Sequence, residues 1–423
     1  MRKVGIHWFI HDLRLTDNHA LANIADEVDE LICIYCDMAQ FSTQFSHGFQ
    51  QTEQQGPHKQ AFVLSALSDL EHKLSKMGQS LLYLDKNMLS DLNTLINEHQ
   101  VTHLSYQYTP APNELELLQS VLDHHPHIKV IKDYSNHLYA PGQLPFSLEN
   151  MPDTFSPFRR KVEKYAQVTH EQKSIDALPP MPSTITGYSL PLAASNALAN
   201  EYLGGESSGL ARLKQFLWDS DAVANYKETR NGFDGWDFSS RFSAWLAYGC
   251  LSPRSIVREL THYEENRIKN ESTYWVFFEL LWREFFHWQL SKHRKLFFYK
   301  TGVQSKKLST HYSASAMDDW INGNTGYDIV DACMRQLANT GFMSNRGRQL
   351  VASCFVHELG LDWRYGATYF EWALVDFDVA SNYGNWQYLA GVGADPRGHR
   401  QFNLDKQAQM YDSDGQFRRS WLA

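Results

Sequence analysis

Cysteine is scarce and unpatterned in this chain: five residues among 423, an odd number without framework spacing. That excludes a disulfide-built fold and fits a reducing compartment. Long apolar runs are lacking, so no segment reads as a membrane span. The stretch MRKVGIHWFIHDLRLTDN meets charge at Asp12 and Arg14 before an apolar core of signal-peptide length can build. The expectation is a cytoplasmic protein with no membrane partner. Common catalytic signatures are missing as well: there is no HExxH, no Walker loop and no GxGxxG after the first strand-like run. Basic charge is not in excess either. The net charge of -9 leaves a nucleic-acid partner only a local basic cleft.

Aromatic residues are plentiful, at 13% of the chain with 12 Trp. Hydrophobic residues at 43% and charged residues at 21% are ordinary for a globular protein, and the length fits two or three domains. Short β-rich runs open the chain: VGIHWFI (4–10), ELICIYC (30–36), SLLYL (80–84), HLSYQY (103–108) and IKVIKDY (128–134). Helical segments separate them. In QAFVLSALSDLEHKLSKMG, Val63, Leu67, Leu70 and Leu74 recur at helical spacing before Gly78. Strand–helix alternation requires a parallel sheet with crossover helices, so residues 1–134 read as a Rossmann-like α/β domain. Residues 135–205 lose this rhythm. APGQLPF, LPPMP and GGESSG mix Pro, Gly and Ser, which predicts a long linker with one short helix. From 206 to 423 the spacing is helical, which predicts an all-α domain.

Several local patterns have a plain reading. Cys33 and Cys36 form a CxxC inside a strand, where residues three apart face opposite sides, so they read as buried small side chains. His262 and Glu265 have a spacing used by metal sites but no companion ligands, and read as a solvated helix face. Gly204 and Gly205 mark a linker and helix start. Ser239, Ser240 and Ser243 precede the helical Ala244–Leu246 run, where a serine cap is the first expectation and phosphate binding the second.

Other patterns resist a plain reading. YWVFFELLWREFFHW is apolar nearly all round, as in a buried helix. It nevertheless carries Glu279 and Arg283 at i,i+4 beside Trp282. An intrahelical ion pair recovers little when removed from water, and a polar ligand against the helix would account for both charges. TGFMSNRGRQLVAS adds Asn345, Arg346, Arg348 and Gln349. LVDFDVASNYGNWQYLAGVG adds Asp376, Asp378 and Asn382 among large rings, with Trp386 and Tyr388 following. Arg348 is a natural partner for one of these aspartates. The DxD could hold magnesium, but no companion acid supports a metal. Together these residues suit the lining for a large, planar, phosphorylated, redox-active ligand.

At these residues the sequence resembles the photolyase/cryptochrome family. The segments that carry the likeness are DLRLTDN (12–18), SSRFSAWLAYGCLSPR (239–254), ELLWREFF (279–286), GNTGYDIVDACMRQL (323–337), NRGRQ (345–349) and DVASNYGNWQY (378–388), in family order. Within the family the likeness is to the cryptochrome DASH group. Gln349 and Tyr388 stand where double-strand photolyases usually carry Met and Trp. The extended C-terminal tail of signalling cryptochromes is not matched.

The resemblance implies FAD in the helical domain, an antenna in the α/β domain, and light-driven repair of cyclobutane pyrimidine dimers in DNA. Single strands would be preferred where the site cannot meet the cost of flipping a paired base. It implies that Tyr226, Ser239, Ser240, Arg241, Phe242 and Ser243 hold the phosphate end. Asn345, Arg348, Asp376, Asp378 and Asn382 would line the flavin ring. Glu279 and Arg283 would lie between flavin and substrate. Trp282 and Tyr388 would flank the flipped dimer, with Asn345, Gln349, Arg397 and Arg400 as further DNA contacts. Trp386 and Trp363 would relay electrons.

The sequence also departs from the family. Trp8-Phe9-Ile10 replaces the family's Trp-Phe-Arg. The third relay position is Thr310, so the outer relay ends early or detours through Tyr312 or Trp320. A folate antenna (methenyltetrahydrofolate) has Glu114 as its candidate contact, within an altered YTPAPNE. A blue-light photoreceptor with little repair is the alternative function. A dark flavin reductase lacks any nicotinamide fingerprint.

Overall fold

The computed structural model describes residues 2–38, 55–168, 175–185, 202–395 and 400–423. Five strands form one all-parallel sheet: β1 Val4–Phe9, β2 Glu30–Cys36, β3 Leu81–Leu84, β4 His103–Gln107 and β5 Lys129–Asp133. Their order is β3-β2-β1-β4-β5, with β1 central and Ile6 facing Ile32 on one side and Leu104 on the other. The crossovers contain α1 His19–Ala25, α2 Pro57–Ser75, α3 Met88–Glu98 and α4 Pro112–His124. Val63, Leu67, Leu70 and Leu74 of α2 are all buried, and beyond its end Gly78 takes a left-handed φ of 74°.

A sheet covered on both faces must divide its side chains by alternation. Cys33 belongs to the large core that continues into the helical half, and Cys36 to a separate core on the other face. The two thiols therefore cannot act together, and burial pushes both well up from the ordinary range. His262 and Glu265 are exposed on one helix. Among the described residues, no group of three or more His, Cys, Asp or Glu is placed to hold a metal. Nor is any helix there long and apolar enough to cross a membrane.

After β5 the chain carries α5 (Phe155–Tyr165), and residues 169–174 and 186–201 of the expected linker lie outside the described residues. The helical half comprises α6 Glu206–Lys214, α7 Tyr226–Thr229, α8 Ser243–Ala247, α9 Pro253–Asn266, α10 Glu271–His293, α11 Ala314–Ile321, α12 Asp328–Thr340, α13 Asn345–Ser353, α14 Trp363–Ala373, α15 Val379–Ala390, α16 Leu404–Tyr411 and α17 Gln416–Leu422. The apolar helix α10 runs through the interior. Asn270 starts it by accepting from the amides of Ser272 and Thr273 at 2.9 and 3.0 Å.

Buried charges lock the two halves together. Arg14, 1% exposed, donates to Asn136 Oδ1 at 2.7 Å and to the Gly249 carbonyl at 2.8 Å. Glu284 of α10 accepts from the amides of Leu138 and Tyr139 at 2.9 and 3.3 Å. These contacts fix α10, and every side chain on it, against the segment that follows the sheet.

Candidate functional site

A cavity of about 440 Å³ opens in the helical half, within the usual size range of ligand pockets. Its walls come from the segment before α8 and from α7, α10, α13 and α15. Tyr226, Ser239, Ser240, Arg241, Phe242, Ser243, Glu279, Trp282, Arg283, Asn345, Arg348, Gln349, Asp376, Asp378, Asn382, Trp386, Tyr388 and Arg400 all line it. Among the described candidates, two do not. Trp363 is buried on α14 against Tyr383. Glu114 sits on α4, paired with His11 at 3.3 Å. Arg397 lies outside the described residues.

The serine end corrects the capping expectation. The residue preceding the short α8 is Phe242, and no serine side chain caps it. The order of this loop comes from Arg212 instead, which donates to the carbonyls of Trp236, Ser239 and Ser240 at 2.9, 2.9 and 3.0 Å. Arg241 is held at a left-handed φ of 59°, a conformation that a bulky residue keeps only when its surroundings enforce it. Its guanidinium donates to the Tyr202 hydroxyl and the Gly235 carbonyl, both at 3.0 Å. A buried cation and a group of hydroxyls thus face one end of the cavity.

The acidic wall is fully partnered. Arg348 Nη2 lies 2.9 and 2.8 Å from the two oxygens of Asp376. Asp378 starts α15 by accepting from the Ser381 amide at 2.7 Å, and it accepts from His287 Nε2 at 2.9 Å. Burial would raise the Asp378 carboxyl, but His287, Arg283 and the Ser381 bond outweigh it and hold the carboxyl well below the usual range. Asn382 donates to the Ala367 carbonyl at 3.0 Å. His287 escaped the sequence reading, although it stands one helical turn beyond Arg283 and so on the same face.

The intrahelical ion pair, the plainer and less favoured reading of Glu279 and Arg283, is not formed. Glu279 binds Arg230 at 2.8 Å, while Arg283 donates to the Asn136 carbonyl at 2.8 Å. Burial pushes the Glu279 carboxyl up, against the opposing pull of Arg230. Arg230 was also missed; only its place in YKETRNG, just ahead of the serine loop, could have signalled it. Trp282 stacks on Phe155 of α5 with ring centroids 3.7 Å apart. Tyr388 stands at 80° to it, 5.9 Å away, so the two rings form a corner. Arg400 lies over the Tyr388 ring at 4.4 Å, hydrogen-bonds its hydroxyl and pairs with Asp395.

Trp386, 2% exposed, packs among Trp320, Phe355 and Phe370. Trp320 lies 6.1 Å from it by ring centroids. Tyr312 pairs instead with Tyr365 at 4.7 Å. Of the two detours open to an outer relay, Trp320 is the one that touches Trp386.

The donor set fits a flavin dinucleotide. A phosphorylated planar ligand needs a cationic, hydroxyl-rich end and a flat polar wall backed by apolar rings. Arg241 with the serines provides the first. Asp376, Asp378 and Asn382 with Trp386 provide the second.

Residues 275–423 match the model described as FAD binding domain of DNA photolyase, and residues 5–182 the model described as DNA photolyase. Cryptochrome DASH of Vibrio parahaemolyticus is 46% identical over 99% of this chain and 93% of its own length. Cryptochrome DASH of Xenopus laevis is 39% identical over 97% of this chain and 81% of its own. A solved Synechocystis cryptochrome superposes with a TM-score of 0.93 at 36% identity, covering 100% of this chain and 89% of that one. A class III photolyase from Agrobacterium tumefaciens gives a TM-score of 0.85 at 26% identity, covering 100% and 87%. With this identity sustained along nearly its whole length, the chain belongs to the photolyase/cryptochrome family, in its cryptochrome DASH group, and carries the family's FAD-binding domain.

Proposed function

We propose that this protein repairs cyclobutane pyrimidine dimers under blue light, with single-stranded DNA as its preferred substrate. The observation that carries the reading is the Trp282–Tyr388 corner, which shares one cavity with Glu279 and the Asp376–Asp378–Asn382 wall. FAD held by Arg241, Asp376, Asp378 and Asn382 would, when reduced, supply the light-driven electron transfer that dimer cleavage needs. The protein supplies position and electrostatics.

Each wall has a task in this reading. Arg241 and the serines hold the phosphate end. Arg348 holds the Asp376 carboxylate in place, and Asp378 and Asn382 orient the ring. Trp282 and Tyr388 offer π-faces to unstacked bases, and Glu279 accepts from the dimer's polar edge. Asn345, Gln349, Arg397 and Arg400 meet the remaining DNA. Trp386 hands electrons inward, with Trp363 and Trp320 as its two sources. The helical domain, 206–423, would hold FAD, and the α/β domain, 1–134, a folate antenna. To contact that folate, Glu114 would exchange its partner His11.

Arg400 supports the strand preference. It covers a face of Tyr388, so an arriving base must displace it. Flipping a base from a duplex adds a few kcal/mol, which single strands largely avoid. A photoreceptor with little repair would leave the Glu279–Trp282–Tyr388 corner without a ligand.

The test is to illuminate the reduced protein with dimer-containing single-stranded and duplex oligonucleotides. Dimer loss should be faster on the single strand. No loss on either substrate would overturn the repair reading, and equal rates would overturn the preference.

A further inference from the structure

Two buried histidines that the repair reading does not use stand behind the acidic wall. Nε2 of His287 lies 2.9 Å from Oδ2 of Asp378, which lines the cavity. Nδ1 of the same ring lies 3.3 Å from Nε2 of His137. His287 is 5% exposed and His137 0%.

The proton positions follow from donor and acceptor chemistry. An ionised carboxylate only accepts, so Nε2 of His287 carries its proton. A neutral ring then has a bare Nδ1, which accepts from Nε2–H of His137. That leaves Nδ1 of His137 bare, and this nitrogen is buried without a hydrogen-bond partner. Buried polar atoms in that state are exceptions that ask for a role.

The surroundings keep both rings neutral at rest. Arg283 stands one turn earlier on α10. Arg254 of α9 donates from Nε to the His137 carbonyl at 2.9 Å. His11, from the loop after β1, faces Asp378 and is itself paired with Glu114 of α4 at 3.3 Å. Burial, reinforced by these cations, pushes both imidazoles below the usual histidine range.

We propose that His137, His287 and Asp378 form a proton wire behind the cofactor wall, taking up one proton when negative charge arrives on the cofactor in the pocket. This rests on the FAD reading of the cavity. The electron comes from an added reductant and the proton from solvent. The proton adds to the bare Nδ1 of His137, and the Nε2 proton of His137 passes to Nδ1 of His287. His287 then stands as an imidazolium between Asp378 and the freed lone pair on His137 Nε2. One N–H bond forms on His137, its other N–H breaks, and one forms on His287, so the balance is a single proton gained. The new positive charge offsets the negative charge that would otherwise face Asp378 uncompensated.

The test counts protons. The FAD-loaded full chain is reduced with dithionite in weakly buffered solution, and an indicator dye reports proton uptake per cofactor. His287→Gln and His137→Gln should each take up one proton fewer than the unaltered chain. His137→Gln keeps the His287–Asp378 contact, so it carries the test should His287→Gln fail to fold. Imidazole 15N shifts of the oxidised protein should show His137 protonated at Nε2 and bare at Nδ1. Equal proton counts in all three proteins would overturn the wire, and so would His137 protonated at Nδ1 before reduction. A chain that purifies without flavin absorbance and cannot be loaded would instead overturn the FAD reading, and the wire with it.

Discussion

Arg230 Nη1 lies 2.8 Å from Oε1 of Glu279, while Arg283, one turn along the same helix, donates to the Asn136 carbonyl. Two charges with ideal spacing for each other are thus divided between the mouth of the cavity and the seam between domains. A pair buried along the helix would be largely self-cancelling. Divided in this way, Glu279 lines the cavity beside Arg230 and Arg283 ties α10 to the segment after β5.

Glu279→Gln keeps the side chain's size and removes its charge. A hydrogen bond to a charged group contributes ~1.5–3 kcal/mol, so dimer affinity should fall on the order of ten- to a hundredfold. FAD content should be unchanged. Binding to a dimer-containing oligonucleotide, with flavin absorbance measured on the same samples, checks both. Loss of FAD would show that Glu279 supports the cofactor site instead.

Arg348→Met should destabilise the fold by about 3–5 kcal/mol, because it leaves Asp376 buried and unpaired. The Asp376 side chain is 1% exposed. Adding Asp376→Leu to this variant should recover most of the loss, since the stranded charge is then gone. Urea denaturation of the single and double variants reads the difference. A double variant no more stable than the single one would mean that the pair's own attraction, and not the stranded charge, dominates.

Much of this architecture was legible before the structure. Parallel strands buried on both faces read as unbroken apolar runs, and β2 occupies the very residues 30–36 that its run predicted. The Arg348–Asp376 pair was also readable, because neither residue had a better partner nearby in sequence. Arg230–Glu279 and His287–Asp378 were not, being 49 and 91 residues apart and joined only by tertiary packing. The serine loop misled for a different reason. Its order comes from Arg212, on a separate helix, and not from hydroxyls capping α8.

The acid wall should show in the pH dependence of stability. The Asp378 carboxyl is held below its unfolded value, so its contribution is present above the ordinary aspartate range and fades as pH falls below about 4. Asp378→Asn retains a good helix cap and removes the charge. It should lose about 1.5–3 kcal/mol at pH 7, with the gap to the unaltered protein narrowing by about 1 kcal/mol at pH 3. Denaturation curves at the two pH values decide it. A gap of equal size at both would mean that the lost contact is steric and not ionic.

Trp386 owes its place to a missing side chain. A Cβ on Gly366 would come within 2.2 Å of Trp386 Cη2, so the ring occupies the space a larger residue would fill. Gly366 lies inside α14, where alanine is intrinsically favoured over glycine by ~0.8–1.0 kcal/mol. Overpacking a filled core costs ~1–3 kcal/mol, which is the larger effect. Gly366→Ala should therefore be destabilised despite its better helix propensity. The indole must also shift within the cage of Trp320, Phe355 and Phe370. Flavin photoreduction should slow with it, since electron transfer falls off steeply with separation, whereas Ala367→Gly on the same helix should lose stability without that change. Photoreduction kinetics on folded samples of both variants make the comparison. An unchanged rate in Gly366→Ala would mean that electrons reach the flavin without passing through Trp386.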